Sequence, residues 1–348
     1  MSASLLDIGP LNGGPLNSSP SKMNVLGIGY YHPETVIDNK FIESLNVGTT
    51  EEWIMDKIGI ETRRSTLPLD YIRETRNQDP QKAIGVARET PTEMGVKAAR
   101  MALQRASITA SQVGLLICDC CTPIQTLPAE SSRLAAGLGM KCQAYDVFTA
   151  CPAFALHIDF LANFKEERLP EYVLCVCTNA LTQCVNYNDR TDGAIWGDGA
   201  AAWVLSTKHE GKLKVVESSF TADPTRCDAV VVDRHKFFHQ DGRAVRDFSV
   251  RQTVRLIKDI EARYPIDWSK DVFIGHQANA TMLEQITNNR EIPPASHWHN
   301  VGRVGNQAGA GAPTVIAEHW DEIGPGKRIV VAVVGAGLSW GSVLLEGQ

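Results

Sequence analysis

The chain has 348 residues, of which 43% are hydrophobic and 21% charged, an ordinary globular composition. Its 34 basic and 40 acidic residues leave a net charge of −6. That excludes a broad nucleic-acid-binding face, which needs a basic patch, but not a local pocket for a phosphate. No run of about 18 apolar residues occurs, so no segment is expected to span a bilayer. At roughly 100–200 residues per domain, the length predicts two domains or one large one.

In chain order, residues 1–22 end in a stretch rich in Gly, Pro, Asn and Ser and are expected to form a mobile arm. The run "MNVLGIGYYHP" from Met23 is a first strand stopped by His32-Pro33. Residues 51–58 have helical spacing, and 91–107 form an amphipathic helix with Pro91 at its start. "VGLLICDCC" at 113–121 is the near-continuous apolar run of a strand buried on both faces. The pattern then predicts a helix over 131–139, a strand over 142–150, a helix over 152–166 and a strand over 172–180. Beyond lie a strand over 211–222, a helix over 250–264, a strand over 271–278 and a helix over 312–323. Two strands around a glycine-rich bend fill 328–346. The alternation predicts an α/β fold with a parallel-rich sheet and helices on its faces, present in two similar halves without a short sequence repeat.

Nine cysteines stand at 118, 120, 121, 142, 151, 175, 177, 184 and 227. The count is odd, and no basic segment followed by an apolar one opens the chain. A reducing cytoplasm is therefore expected rather than a disulfide framework. Cys151 precedes a helix that opens with Pro152, where the helix dipole and free N–H groups favour a thiolate. Taken alone, that local pattern fits a small buried residue at a strand–helix turn better than a nucleophile. "CDCC" at 118–121 lacks the second ligand pair of a zinc site, and Cys118, Cys120, Cys175 and Cys177 fit core packing on strand faces. Asp198 fits a structural turn residue and His157 a packed one. His297 and His299 have no third ligand by pattern, so no metal is expected there, while His235 and His239 fit a loop at a site mouth or dimer surface. His276, at the end of a strand in "GHQANA", and Asn306, in the glycine-rich "HNVGRVGNQAGAGAP", would join Cys151 as nucleophile and partners only if the fold brings them together.

Five ordered segments, "DVFTACPAF", "IWGDGAAAWVL", "GHQAN", "GRVGNQAGAGAP" and "VVGAGLSWGSVLLE", resemble those of the β-ketoacyl-acyl-carrier-protein synthase III family. The resemblance covers residues 23–347 and implies a thiolase-like five-layered αβαβα sandwich. Its halves would be 23–207, carrying the nucleophile, and 208–348, carrying His and Asn. It implies Cys151 as acyl carrier, His276 and Asn306 as catalytic partners, and backbone oxyanion donors at Cys151 and Ala336. Trp53, Lys57, Arg190 and Asn279 would meet coenzyme A or phosphopantetheine, which is substrate rather than cofactor, and no metal is required. An acyl-CoA or acyl carrier protein as partner and a homodimer are expected on the same ground. The absence of a second cysteine from "VVGAGLSWG" separates the chain from degradative thiolases, and Asn306 separates it from two-histidine elongating synthases.

Departures also occur. Lys57 stands where the family has arginine four residues after Trp53, and Thr281 replaces a basic entrance residue. "CPAF" and "GAGL" replace "CAGF" and "GGGF", which is expected to add bulk beside the acyl pocket. The segment 65–92 is longer than in the housekeeping enzyme and resembles the branch that joins two acyl chains into dialkylresorcinols and cyclohexanediones. It is either a surface excursion or a wall of a second substrate channel. An acyltransferase forming O- or N-acyl bonds and a non-catalytic partner subunit are the alternative readings of the scaffold.

Overall fold

The computed structural model describes residues 21–348 apart from 191, 234 and 235. Nearly all of the expected arm, and His235, lie outside the described residues. One nine-stranded sheet forms the frame. Its strands are β1 (Asn24–Tyr31), β2 (Leu115–Asp119), β3 (Gln143–Asp146), β4 (Val173–Ala180), β5 (Asp198–Ser206), β6 (Leu213–Ala222), β7 (Val272–Gly275), β8 (Arg328–Gly335) and β9 (Ser339–Gly347). Their spatial order is β7-β8-β9-β6-β1-β5-β4-β2-β3. The two sections, β1-β5-β4-β2-β3 and β7-β8-β9-β6, are joined by a short ladder in which Asn24 and Val25 pair with Lys214 and Leu213.

The sheet is mixed rather than parallel-rich. Only β2–β3, β2–β4 and β7–β8 are parallel; the other ladders are antiparallel. The reason is local. β5, after the turn-rich stretch 186–197, returns antiparallel to both β4 and β1, and the bend at 336–338 folds β9 straight back on β8.

Helices that position the site are α1 (Glu51–Lys57), α2 (Leu69–Thr75), α3 (Pro80–Val86), α4 (Pro91–Arg105), α5 (Glu130–Gly137), α6 (Ala153–Ala162), α7 (Gly242–Arg263), α8 (Ala280–Asn289) and α9 (Gly311–Glu318). α4 starts as its sequence predicts, with Thr90 and Glu93 closing a capping box ahead of Pro91. It lies so close to β1 that a Cβ on Gly29 would stand 2.3 Å from the Ala98 carbonyl oxygen. α7 begins eight residues earlier than the apolar periodicity indicates: Asp241 caps Ala244, and the first turns are polar and largely exposed. α2 and α3 come from the long 65–92 segment. One core of α6, α9 and both sheet sections fills the middle, and separate cores lie under α4–α5 and under α7–α8. This is a five-layered αβαβα arrangement. Among the described residues, no helix is long and apolar enough to cross a membrane.

Candidate active site

After β3 the chain turns through 147–150 into α6, and Cys151 sits in that turn, one residue ahead of the helix cap Pro152. Ala150 holds φ at 64°, the left-handed region that a residue with a Cβ rarely adopts. Cys151 is thus presented on a strained elbow. Opposite it, β8 ends at Gly335, where a Cβ would stand 2.8 Å from Cys151 Cβ and 2.6 Å from Pro152 Cδ. Glycine alone permits this approach, and it brings the amides of Cys151 and Ala336 to the Cys151 sulfur. Those are the two amides that the family resemblance names as oxyanion donors. Gly335→Ala is expected to cost about 1–3 kcal/mol by overpacking and to slow chemistry at Cys151. Urea unfolding and the rate of thiol alkylation measure both, and a variant as stable and as reactive as the wild type would show that the contact relaxes freely.

The thiol is not in the state its helix position suggests. Burial pushes Cys151 up to about 12, the buried Asp119 carboxyl adds to the rise, and the two amides oppose it only in part. α6 proper begins at Ala153, so desolvation outweighs the helix dipole, and the resting group is a neutral thiol. His276 follows β7 directly. Burial lowers it to about 4, so its imidazole is neutral near pH 7 and can accept one proton or donate one N–H. Its ring makes no hydrogen bond to a described residue. Asn306 is held by its own backbone, which donates to Ile195 O and accepts from Gly197 N, both at 2.9 Å. Its Oδ1 accepts from Ala308 N at 2.9 Å, which orients the amide and leaves the NH2 group unclaimed by any described residue. Cys151, His276, Asn306 and Ala336 line one cavity of about 370 Å³, so the fold brings side chains as far apart in sequence as 151 and 306 to one site.

A second cavity of about 610 Å³ lies behind Cys151 and is lined by apolar groups including Phe148, Leu156, Leu181 and Phe220. Cys151, Trp196, Val230, Phe238 and Ala336 belong to both walls. His276 and Asn306 belong to the first alone. A third, of about 120 Å³, has Pro80 and Ile84 in its wall and shares Cys121 and Val232 with the apolar one. The 65–92 segment is therefore built into the molecule rather than an excursion. Leu67 and Ile72 are fully buried, and the Asn77 side chain donates to Thr182 O, Gln183 O and Val185 O. Of the substitutions expected to add bulk beside the acyl pocket, Ala336 lines both cavities, while the other two large changes act elsewhere. Pro152 packs on Gly335, Leu338 is buried in the core, and neither lines these cavities.

Trp53, Lys57 and Asn279 line the mouth of the polar cavity. Arg190 lies outside its wall, with its guanidinium 4.8 Å from the Trp53 ring centre. The two are closed on each other, so a stacked base would have to part them. Lys57 pairs with Asp56 at 2.7 Å. Asn279 caps α8 through Met282 N at 2.7 Å, and Thr281 donates to Lys57 O at 2.9 Å, tying α8 to α1. Thr281 thus fastens the entrance where the family's basic residue would charge it. Asp198 is structural, accepting from the amides and hydroxyls of Thr66 and Thr182. His157 is buried against Trp203 and bonded to Val147 O. His297 and His299 stack on each other, and among the described residues no group of three metal-ligating side chains occurs. His239 lies on a short strand whose neighbours Phe238 and Gln240 line the polar cavity.

Three residues near the site carry no motif. Arg246, on α7, and Asp192 line the polar cavity; Arg246 donates to Gln285 Oε1 at 3.3 Å, and Asp192 accepts from Gln240 Nε2 at 3.1 Å. Asp119 lies fully buried behind the elbow. Its one sequence signal is a lone acid closing the apolar run of β2.

Comparison with known proteins gives a family and a fold. The family model for 3-oxoacyl-[acyl-carrier-protein] synthase III matches residues 145–224, and that for its C-terminal part matches 269–346. The β-ketoacyl-[acyl-carrier-protein] synthase III of Rubrobacter xylanophilus is 29% identical over 339 residues, spanning 94% of this chain and 99% of that protein. The crystal structure of 3-oxoacyl-[acyl-carrier-protein] synthase III from Aquifex aeolicus superposes with a TM-score of 0.82 at 26% identity, covering 93% of this chain and 99% of that one. OleA of Xanthomonas campestris shares the fold at 18% identity, with a TM-score of 0.78 over 93% of this chain and 98% of that one.

Proposed function

The chain belongs to the β-ketoacyl-acyl-carrier-protein synthase III family of condensing enzymes, and on that premise we propose that Cys151 carries the acyl group between its two half-reactions. In the first, the Cys151 sulfur adds to the carbonyl carbon of an acyl thioester and gives up its proton. The bond to the departing coenzyme A or pantetheine sulfur breaks, and that thiol leaves protonated. In the second, a malonyl thioester binds with its carbonyl oxygen toward the His276 N–H and the Asn306 NH2. Carbon dioxide leaves, the enolate oxygen is held by those two donors, and the carbanion attacks the acyl-cysteine. A carbon–carbon bond forms, the Cys151 sulfur is expelled, and a β-ketoacyl thioester results. A β-ketoacyl donor would lose an α-proton in place of carbon dioxide. These steps need neither a metal nor a redox group.

The observation that carries this reading is the place of Cys151 in the wall shared by a polar and an apolar cavity, with His276 and Asn306 on the polar side only. The apolar side suits an acyl chain, whose burial is favourable at roughly 0.8 kcal/mol per methylene. The polar side suits a pantetheine arm entering past Trp53, with Lys57, Arg190 and Arg246 as cations for its phosphates. Either acyl-CoA or acyl carrier protein is the delivering partner. A homodimer is supported by β3, an open sheet edge near which Tyr145, Phe148 and Leu127 stay exposed. Phe148 also lines the apolar cavity, so a partner covering it would close that pocket. Nine free cysteines fit a reducing cytoplasm.

The test is intact-protein mass spectrometry after incubation with acetyl-, octanoyl- or palmitoyl-CoA, followed by carboxyl-labelled malonyl-CoA. An acyl adduct on Cys151, then labelled carbon dioxide and a longer β-ketoacyl product, is the expected result. No adduct with any thioester would sink this reading. An adduct discharged only to hydroxyl or amine acceptors would turn it toward O- or N-acyl transfer.

A further inference from the structure

A fully buried carboxyl at the end of β2 has no part in the steps above, yet it stands directly behind the nucleophile. Asp119 Oδ2 accepts from Thr149 N at 2.7 Å and from Ala150 N at 3.0 Å, the two amides immediately before Cys151. Ala150 is the left-handed residue of the elbow, a conformation that must be held from outside. The second oxygen accepts from the Cys177 thiol at 3.6 Å. The Thr149 hydroxyl lies 3.2 Å from Ser339 Oγ, and Ser339 Oγ donates to Ala336 O at 2.6 Å. Since the single Ser339 proton goes to Ala336, Thr149 is the donor in the other contact. A chain of bonds therefore runs from Asp119 through Thr149 and Ser339 to the loop carrying the second oxyanion amide.

We propose that Asp119 is a positioning residue: it fixes the Cys151 elbow directly and, through Thr149 and Ser339, registers it against Ala336, so that both amides point at one oxygen. This rests on the reading of Cys151 as acyl carrier. A tilt of either loop would spoil the donor geometry while leaving both cavities intact. Asp119 thus acts on the rate of acyl transfer and not on the affinity for the thioester. An asparagine can replace it in part, because its amide oxygen can accept both backbone N–H groups.

The experiment is single-turnover acylation of the full chain by octanoyl-CoA, quenched at timed intervals and read as the Cys151 adduct by mass spectrometry. Rates are normalised to folded protein by circular dichroism. Asp119→Ala is expected to slow acylation about tenfold to a hundredfold at saturating thioester, less than the roughly hundredfold to thousandfold cost of losing an oxyanion donor outright, because the donors are tilted and not removed. Its half-saturating concentration should stay within about twofold of wild type, because uniform binding is untouched. Asp119→Asn should recover to within about threefold, since the acceptor is retained. A wild-type chain that forms no adduct would remove the Cys151 reading and this assignment with it. A wild-type chain that acylates while Asp119→Ala acylates as fast, or loses only affinity, overturns the assignment alone. If Asp119→Ala does not fold, Thr149→Val carries the test. It keeps the amide bonds to Asp119 but cuts the link to Ser339, and a rate equal to wild type overturns the assignment.

Discussion

Cys151→Ser is expected to form no detectable acyl adduct and to lower turnover by at least about a thousandfold, the scale on which losing a nucleophile acts. Serine is nearly the same size, so the packing against Gly335 and Pro152 should survive, and thermal unfolding should match wild type within a few degrees. What is lost is chemistry. The site pushes even a thiol up to about 12 by burying it, and a hydroxyl starts far higher. The cysteines of the neighbouring strands cannot stand in. Cys118, Cys175 and Cys177 are fully buried in strands, with their thiols raised further by the same burial. Intact-protein mass spectrometry and a turnover assay on the same preparation check this, and a serine variant that keeps condensing would remove Cys151 from the mechanism.

The strand–helix alternation, the helix start at Pro91 and the apolar runs of β2 and β4 were legible in sequence because each is a local pattern with a local cause. The direction of the ladders was not. A strand buried on both faces has the same composition whether its neighbours run parallel or antiparallel, so β5 and the mixed sheet came only from three dimensions. Site residues divide the same way. Cys151, His276 and Asn306 sit in short segments with recognisable spacing, and the fold brings them to one cavity as the resemblance implied. The ionisation of Cys151 ran against the local reading, because desolvation by distant chain segments outweighs the nearby helix end. Asp119 went unread among the cysteines of 118–121, since its role depends on amides 30 residues away in sequence.

His276→Ala is expected to separate the two half-reactions. Decarboxylation should fall by about a hundredfold to a thousandfold, since the variant lacks one of the two donors that would hold the enolate oxygen, and removing a single such donor costs that much elsewhere. Acylation should persist, more slowly and with a new dependence on pH. At pH 7.5 a thiol near 12 is ionised in only a few molecules in about a hundred thousand, so attack needs the proton removed as the bond forms. His276, lowered to about 4 by burial, is already neutral throughout pH 6–8 and can take it. Wild-type acylation should therefore be nearly flat from pH 6 to 8. It should fall only as the pH approaches 4, where the imidazole becomes protonated and can no longer accept. Without His276 the reaction must draw on the pre-existing thiolate, so its rate should climb about tenfold per pH unit over the same range, following the ionisation of the thiol. Timed mass spectrometry of the adduct, beside release of labelled carbon dioxide from malonyl-CoA, reads both steps in one experiment. If acylation collapses further than decarboxylation, His276 serves chiefly to activate the thiol and the enolate is held by Asn306. If both fall equally, the two half-reactions share one His276 contact, and the division of labour between the polar and apolar sides of Cys151 must be redrawn.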